Sequence, residues 1–124
     1  MTLQHSAQTL AYVGDAVFEL LVREHLVRQS LATPETLHDK AVAMTSAKGQ
    51  AIMLEMLEPH LTDSERDLVR RGRNAKLTRK ARTATRTTYQ RASGLETLFG
   101  HHYLTHNLTR LRTLVTVYMN ENPA

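Results

Sequence analysis

The sequence predicts an all-α fold of about six helices, with a basic loop between the fourth and fifth, in one domain spanning residues 1–124. Apolar residues recur at helical spacing along the chain, and no stretch sustains the alternation of a half-buried strand. Capping residues and prolines divide the chain into segments of helix length. With 124 residues, 41% hydrophobic and 23% charged, the chain can bury one core and is too short for two ordinary domains.

A first helix is expected from Ala7 to Gln29, with Leu10, Val13, Val17, Leu20 and Leu21 on or near one stripe and Gly14 weakening it. Thr33-Pro34-Glu35 starts a second: a capping threonine, a proline at the first helical position and an acid in the first turn. It should run toward Met44. A third, Ser46 to Leu57, carries Ile52, Met53, Met56 and Leu57 inward and stops before Pro59, because proline disfavours helix at the residue preceding it. Thr62-Asp63-Ser64-Glu65 has the pattern of a capping box and opens a fourth helix, whose core face is Leu68 and Val69 and which ends near Gly72. From Lys76 to Arg86 the segment KLTRKARTATR holds one large apolar residue and cannot bury much surface, so it reads as a mobile loop. A fifth helix follows from Thr87 to Thr105 with Leu95, Leu98, Phe99 and Tyr103 inward, and Asn107 caps a sixth that reaches Asn120.

Composition removes several function classes. The chain has no cysteine, so disulfides, thiolate metal sites and thiol catalysis are excluded, and a reducing compartment is expected. The N-terminal MTLQHSAQTL lacks the regions of a signal peptide, and no apolar run approaches the ~20 residues of a membrane span, which leaves a cytoplasmic protein as the expectation. The net charge of +4 is unevenly placed. Nine of the sixteen Lys and Arg residues fall between Arg70 and Arg91, where there is no Asp or Glu, and the rest of the chain has seven bases against twelve acids. An acidic body with one strongly basic segment is suited to meet a polyanion, with nucleic acid foremost.

Two segments place acids among apolar neighbours. In Tyr12-Val13-Gly14-Asp15-Ala16-Val17-Phe18-Glu19, spacing of four puts Asp15 and Glu19 on one helix face. In Ala92-Ser93-Gly94-Leu95-Glu96-Thr97-Leu98-Phe99-Gly100, Glu96 is the only acid between Asp67 and Glu121. A carboxylate in such a setting sits at the edge of the buried stripe or is held by a cation, since an unpaired buried charge is strongly penalised.

Three stretches, LAYVGDAVFELLVREHL at 10–26, RRGRNAK at 70–76 and SGLETLFGHHYL at 93–104, match in order and spacing those of a known family. The chain resembles the ribonuclease III catalytic domain, and most closely its short branch, Mini-ribonuclease III. The resemblance implies a helical, Mg²⁺-assisted endoribonuclease that dimerises, lays double-stranded RNA across both subunits and leaves 5′-phosphate and 3′-hydroxyl ends. By the same resemblance Asp15 and Glu96 are the catalytic metal ligands, Tyr12 packs in the homodimer interface, and the substrate is a duplex in precursor large-subunit ribosomal RNA, with a ribosomal protein assisting. The wider family has two further carboxylates, where this chain has Ala11 and Ser93. That departure marks the short branch and implies a metal held by fewer protein ligands and more water, which suits magnesium. Glu19 is placed to orient a water of the metal from one turn away. Arg71, Arg73, Asn74 and Lys76 are expected to hold phosphates near the cut, and Arg79, Lys80, Arg82 and Arg86 to follow the RNA backbone.

Two other readings compete. His38-Asp39, with His102 and His106 at i, i+4, suggests an HD-type metal phosphohydrolase, but a further upstream His and downstream Asp in helical context are missing. Alternatively the chain is a non-catalytic RNA-binding module in which Asp15 and Glu96 are structural.

Overall fold

The computed structural model describes residues 5–29, 33–75 and 85–121. They form six helices: α1 (Ala7–Gln29), α2 (Pro34–Thr45), α3 (Ala47–Leu57), α4 (Asp63–Asn74), α5 (Arg86–Leu104) and α6 (Leu108–Glu121), with a single 3-10 turn at Glu58–His60. Among the described residues there is no strand, and no helix is long and apolar enough to cross a membrane.

The predicted start signals operate locally. The Thr33 hydroxyl accepts from the Thr36 N–H with Pro34 at the head of α2. At α4 the Thr62 hydroxyl accepts from the Glu65 N–H at 3.2 Å while Glu65 returns a bond to the Thr62 N–H at 2.8 Å. Ser46 closes α2 through its own N–H and opens α3 through its hydroxyl, which is why the two helices abut with no linker. Asn107 precedes α6, and its side-chain amide lies 3.4 Å from His102 Nδ1. The turn from α5 into α6 passes through His106 at φ 62°, with Asn107 N–H bonded to His102 O and His106 N–H to Tyr103 O, the pairing by which helices end in a left-handed residue.

α5 is the central helix, packed most extensively on α1 and then on α4 and α3. Its buried Leu95, Leu98 and Phe99 meet Phe18 and Val22 of α1, Met53, Leu54 and Leu57 of α3, and Leu111, Leu114 and Val115 of α6 in one core. Phe18 and Phe99 meet edge to face with centroids 5.2 Å apart, an arrangement that adds to the gain from burial.

Four sequence expectations about these helices need correction. Leu20 is 63% exposed, because the buried stripe of α1 runs through Leu10, Gly14, Val17, Phe18, Leu21 and Val22, and position 20 turns away from it. Ile52 is exposed because the inward stripe of α3 is Gln50, Met53, Leu54 and Leu57. Tyr103 is exposed and His102 takes the inward place after Leu95, Leu98 and Phe99, since Glu65 and Asn107 satisfy its ring nitrogens. Arg86 belongs to the first turn of α5 rather than to the loop, because Thr85 caps the helix one residue earlier than expected. Residues 76–84 of the expected loop, with Lys76, Arg79, Lys80 and Arg82, lie outside the described residues.

Glu65 does more than cap α4. Its buried carboxylate accepts from Arg110 Nε and Nη2 at 2.8 and 2.7 Å and pairs with His102 Nε2 at 2.7 Å, while Arg110 also donates to His60 O. One carboxylate therefore joins α4, α5, α6 and the 3-10 turn. Burial alone would raise its pKa, but the bonds from Arg110, the Thr62 N–H and His102 outweigh that and hold it at about 2.

Candidate active site

Two glycines let α1 and α5 cross backbone to backbone. A Cβ at Gly14 would lie 1.7 Å from the carbonyl oxygen of Glu96, and one at Gly100 would lie 1.8 Å from that of Leu10. Only hydrogen fits at either position, so the helix-breaking cost of about 1 kcal/mol per glycine is accepted for close approach. Thr97, fully buried, ties the same region together by donating to Ser93 O at 2.8 Å and lying 3.3 Å from Ala7 O.

This crossing sets Asp15, the residue after Gly14, against Glu96. The two carboxyl groups are in hydrogen-bond contact, Asp15 on the exposed side and Glu96 half-buried. Burial is the largest cause that raises the Glu96 pKa; the Asp15 charge and the shared hydrogen bond add to it, a bond from Gln50 opposes it, and the result is about 8. At neutral pH, in the absence of a cation, the pair therefore retains a proton. Two acids sharing one proton mark a place where positive charge is wanted.

Gln50 is the site residue that sequence reasoning missed. It is 2% exposed on the inward face of α3, and its Nε2 donates to Thr45 O at 3.1 Å and to Glu96 Oε2 at 3.3 Å. Its Oε1 is buried with no hydrogen-bond partner. A polar residue in register with Met53, Leu54 and Leu57 was a usable signal, because a buried amide needs partners that an apolar stripe does not offer.

The carboxylates of Asp15 and Glu96 are hard oxygen donors, without sulfur or imidazole beside them, of the kind that fits Mg²⁺. Among the described residues no group of three or more His, Cys, Asp or Glu side chains gathers as a metal cluster, and what they offer at this place is one carboxyl pair. Ala11 and Ser93 are half-buried and bring no charge to it. Glu19 is turned to Arg23, with Nη2 to Oε1 at 2.6 Å.

The end of α4 presents Arg71, Arg73 and Asn74, all exposed. Gly72 lets this helix approach α5 so closely that a Cβ there would lie 2.8 Å from Ser93 O, which keeps the basic residues beside the segment bearing Glu96. Arg71 donates to His5 O at 3.3 Å, and Arg70, Arg71 and Asn74 line a depression of about 610 Å³ with Ser6, Ala7 and Gln8 at the start of α1. Arg86 is exposed at the head of α5. Tyr12 is 83% exposed and aligned with Ala16 and Leu20 at i+4 and i+8, so it is not a core tyrosine. His38 and Asp39 are exposed and His102 is engaged by Glu65, which leaves the HD-type reading without a site.

A family model described as "Ribonuclease III domain" matches residues 8–107. Relatives called Mini-ribonuclease 3 include those of Enterococcus faecalis, 40% identical over 90% of this chain and 86% of that one, and Symbiobacterium thermophilum, 42% identical over 83% and 79%. The Synechocystis protein of that name is 49% identical over 80% of this chain and 68% of its own. In fold, the chain is similar to a crystal structure of a Fusobacterium nucleatum protein, with a TM-score of 0.82, 24% identity and coverage of 95% of this chain and 94% of that one.

Proposed function

The chain belongs to the ribonuclease III family of endoribonucleases acting on double-stranded RNA, and on that premise we propose that Asp15 and Glu96 hold Mg²⁺ where the phosphodiester is hydrolysed. The observation that supports this reading most is the contact of the two carboxyl groups across the glycine crossing, with the Glu96 pKa raised to about 8 by burial and by the neighbouring Asp15. When bound, Mg²⁺ activates water at neutral pH and neutralises charge that develops on the phosphate.

The chain's own residues supply placement. Asp15 approaches from the exposed side and Glu96 from the half-buried side, so the scissile phosphate is met at the surface of the α1–α5 crossing. Arg71, Arg73 and Asn74 at the end of α4, and Arg86 at the head of α5, are exposed donors for neighbouring phosphates. Lys76, Arg79, Lys80 and Arg82 extend this basic set and act on affinity through phosphate contacts, which carry no base information. Glu19 would assist only by leaving Arg23.

The duplex is one in precursor large-subunit ribosomal RNA, processed in the cytoplasm, with a ribosomal protein as an assisting partner. The working unit is a homodimer in which the outward stripe of Tyr12, Ala16 and Leu20 on α1 faces its copy, an apolar patch at the edge of the site. Residues 1–124 act as a single catalytic domain. The test is a long RNA duplex incubated with the protein in Mg²⁺ or in EDTA, followed by end-group analysis. Cleavage in Mg²⁺ alone, leaving 5′-phosphate and 3′-hydroxyl ends, is expected; undiminished cleavage in EDTA, or 2′,3′-cyclic phosphate ends, would overturn the metal-assisted reading.

A further inference from the structure

Gln50 enters none of the three stretches that carry the family likeness, yet it is the side chain that reaches Glu96 from the core. Its orientation is determined. The Thr45 carbonyl can only accept, so the amide nitrogen must face it, and the second N–H of that nitrogen is then directed to Glu96 Oε2. Thr45 is the last residue of α2, so the bridge runs from the α2–α3 junction through α3 to the carboxylate on α5. The same orientation leaves Oε1 buried without a donor. A buried acceptor without a partner is costly, and a methionine would fill nearly the same volume without that cost.

We propose that Gln50 is a positioning residue: its amide, locked by Thr45 O, holds the Glu96 carboxyl group in the orientation that faces Asp15. The inference rests on the reading of Asp15 and Glu96 as the cation site. At 2% exposure Gln50 cannot touch duplex RNA, so its effect passes through Glu96 alone. Residues that orient a metal ligand in this way change metal affinity or turnover by roughly ten- to a hundredfold when replaced.

The experiment compares wild type with Gln50→Met, Gln50→Leu and Glu96→Gln in three measurements. These are the thermal midpoint without metal, calorimetric titration of the RNA-free protein with MgCl₂, and kcat and KM on an RNA duplex. Both Gln50 variants are expected to keep or raise the thermal midpoint and to keep KM. Their Mg²⁺ affinity and kcat are expected to fall by roughly ten- to a hundredfold. Wild-type Mg²⁺ affinity and kcat in a folded Gln50 variant, with Glu96→Gln inactive, would overturn the positioning role and leave the cation site standing. If Glu96→Gln itself binds Mg²⁺ and cleaves like wild type, the reading of the site fails and takes the Gln50 role with it. Failure of both Gln50 variants to fold would make the residue a structural one and also overturn the proposal.

Discussion

Replacing Gly14 by alanine tests whether the helix crossing builds the site. The added Cβ would stand 1.7 Å from Glu96 O, 2.6 Å from Glu96 C and 2.8 Å from Gly100 N. Ordinary carbon contacts lie near 3.5 Å, so α1 and α5 must separate by roughly 1.5 Å or more, and no flexible side chain is there to yield. Alanine gains about 1 kcal/mol of helix propensity, while overpacking costs about 3 kcal/mol when backbone must move, which leaves a net loss of about 2 kcal/mol. For a domain of this size that lowers the thermal midpoint by about 8 °C. The chemical effect is larger in proportion, because Asp15 is carried on the displaced helix and misplacement by about 1 Å costs on the order of a hundredfold in rate. Calorimetric unfolding and single-turnover cleavage of an RNA duplex measure the two effects. A Gly14→Ala protein with the wild-type midpoint and wild-type rate would refute the argument that close approach at this position sets Asp15 against Glu96.

The remaining predictions concern charge and assembly. Glu65 has its pKa lowered from 4.5 to about 2, so its contribution of about 3 kcal/mol is present above pH 4.5 and lost as pH falls toward 2; acid unfolding of wild type and Glu65→Gln should show that difference, and parallel curves would refute it. Glu96 has the opposite sign: with its pKa raised from 4.5 to about 8, the metal-free protein loses up to about 5 kcal/mol as pH rises through that range. In EDTA near pH 8.5, Glu96→Gln should therefore melt above wild type, and Mg²⁺ should restore wild type only; equal pH dependence of the two proteins would contradict this. Tyr12→Asp should turn the dimer into monomers in sedimentation, because a twofold axis places the new charge on both sides of one interface. A wild-type monomer at micromolar concentration would refute the assignment of Tyr12 to that interface.

Much of the fold was legible because its signals are local. Thr33-Pro34 and Thr62-Asp63-Ser64-Glu65 start helices through bonds within four residues, and those starts stand where the sequence places them. The choice between Tyr103 and His102 for the inward place was not legible, because it depends on Glu65, thirty-seven residues from His102 in the chain. The same limit hid the double role of Glu65, which reads as a capping residue until Arg110 is brought beside it. Asp15 and Glu96 could each be singled out as acids in apolar settings, but their mutual contact depends on the Gly14–Gly100 crossing, a property of two helices rather than of either. Gln50 was readable in principle as the polar member of the α3 stripe, though its partners on α2 and α5 were not.

Whether Asp15 and Glu96 together perform metal-assisted hydrolysis of duplex RNA is decided by single-turnover cleavage by Asp15→Asn and Glu96→Gln at saturating RNA and Mg²⁺, with duplex binding measured in parallel. Each change removes a charge and preserves shape, so cleavage should fall by several orders of magnitude with binding kept or strengthened, since a negative charge beside the phosphates is gone. Either variant cutting the duplex at close to the wild-type rate while binding it normally would show that the replaced carboxylate is not needed for hydrolysis.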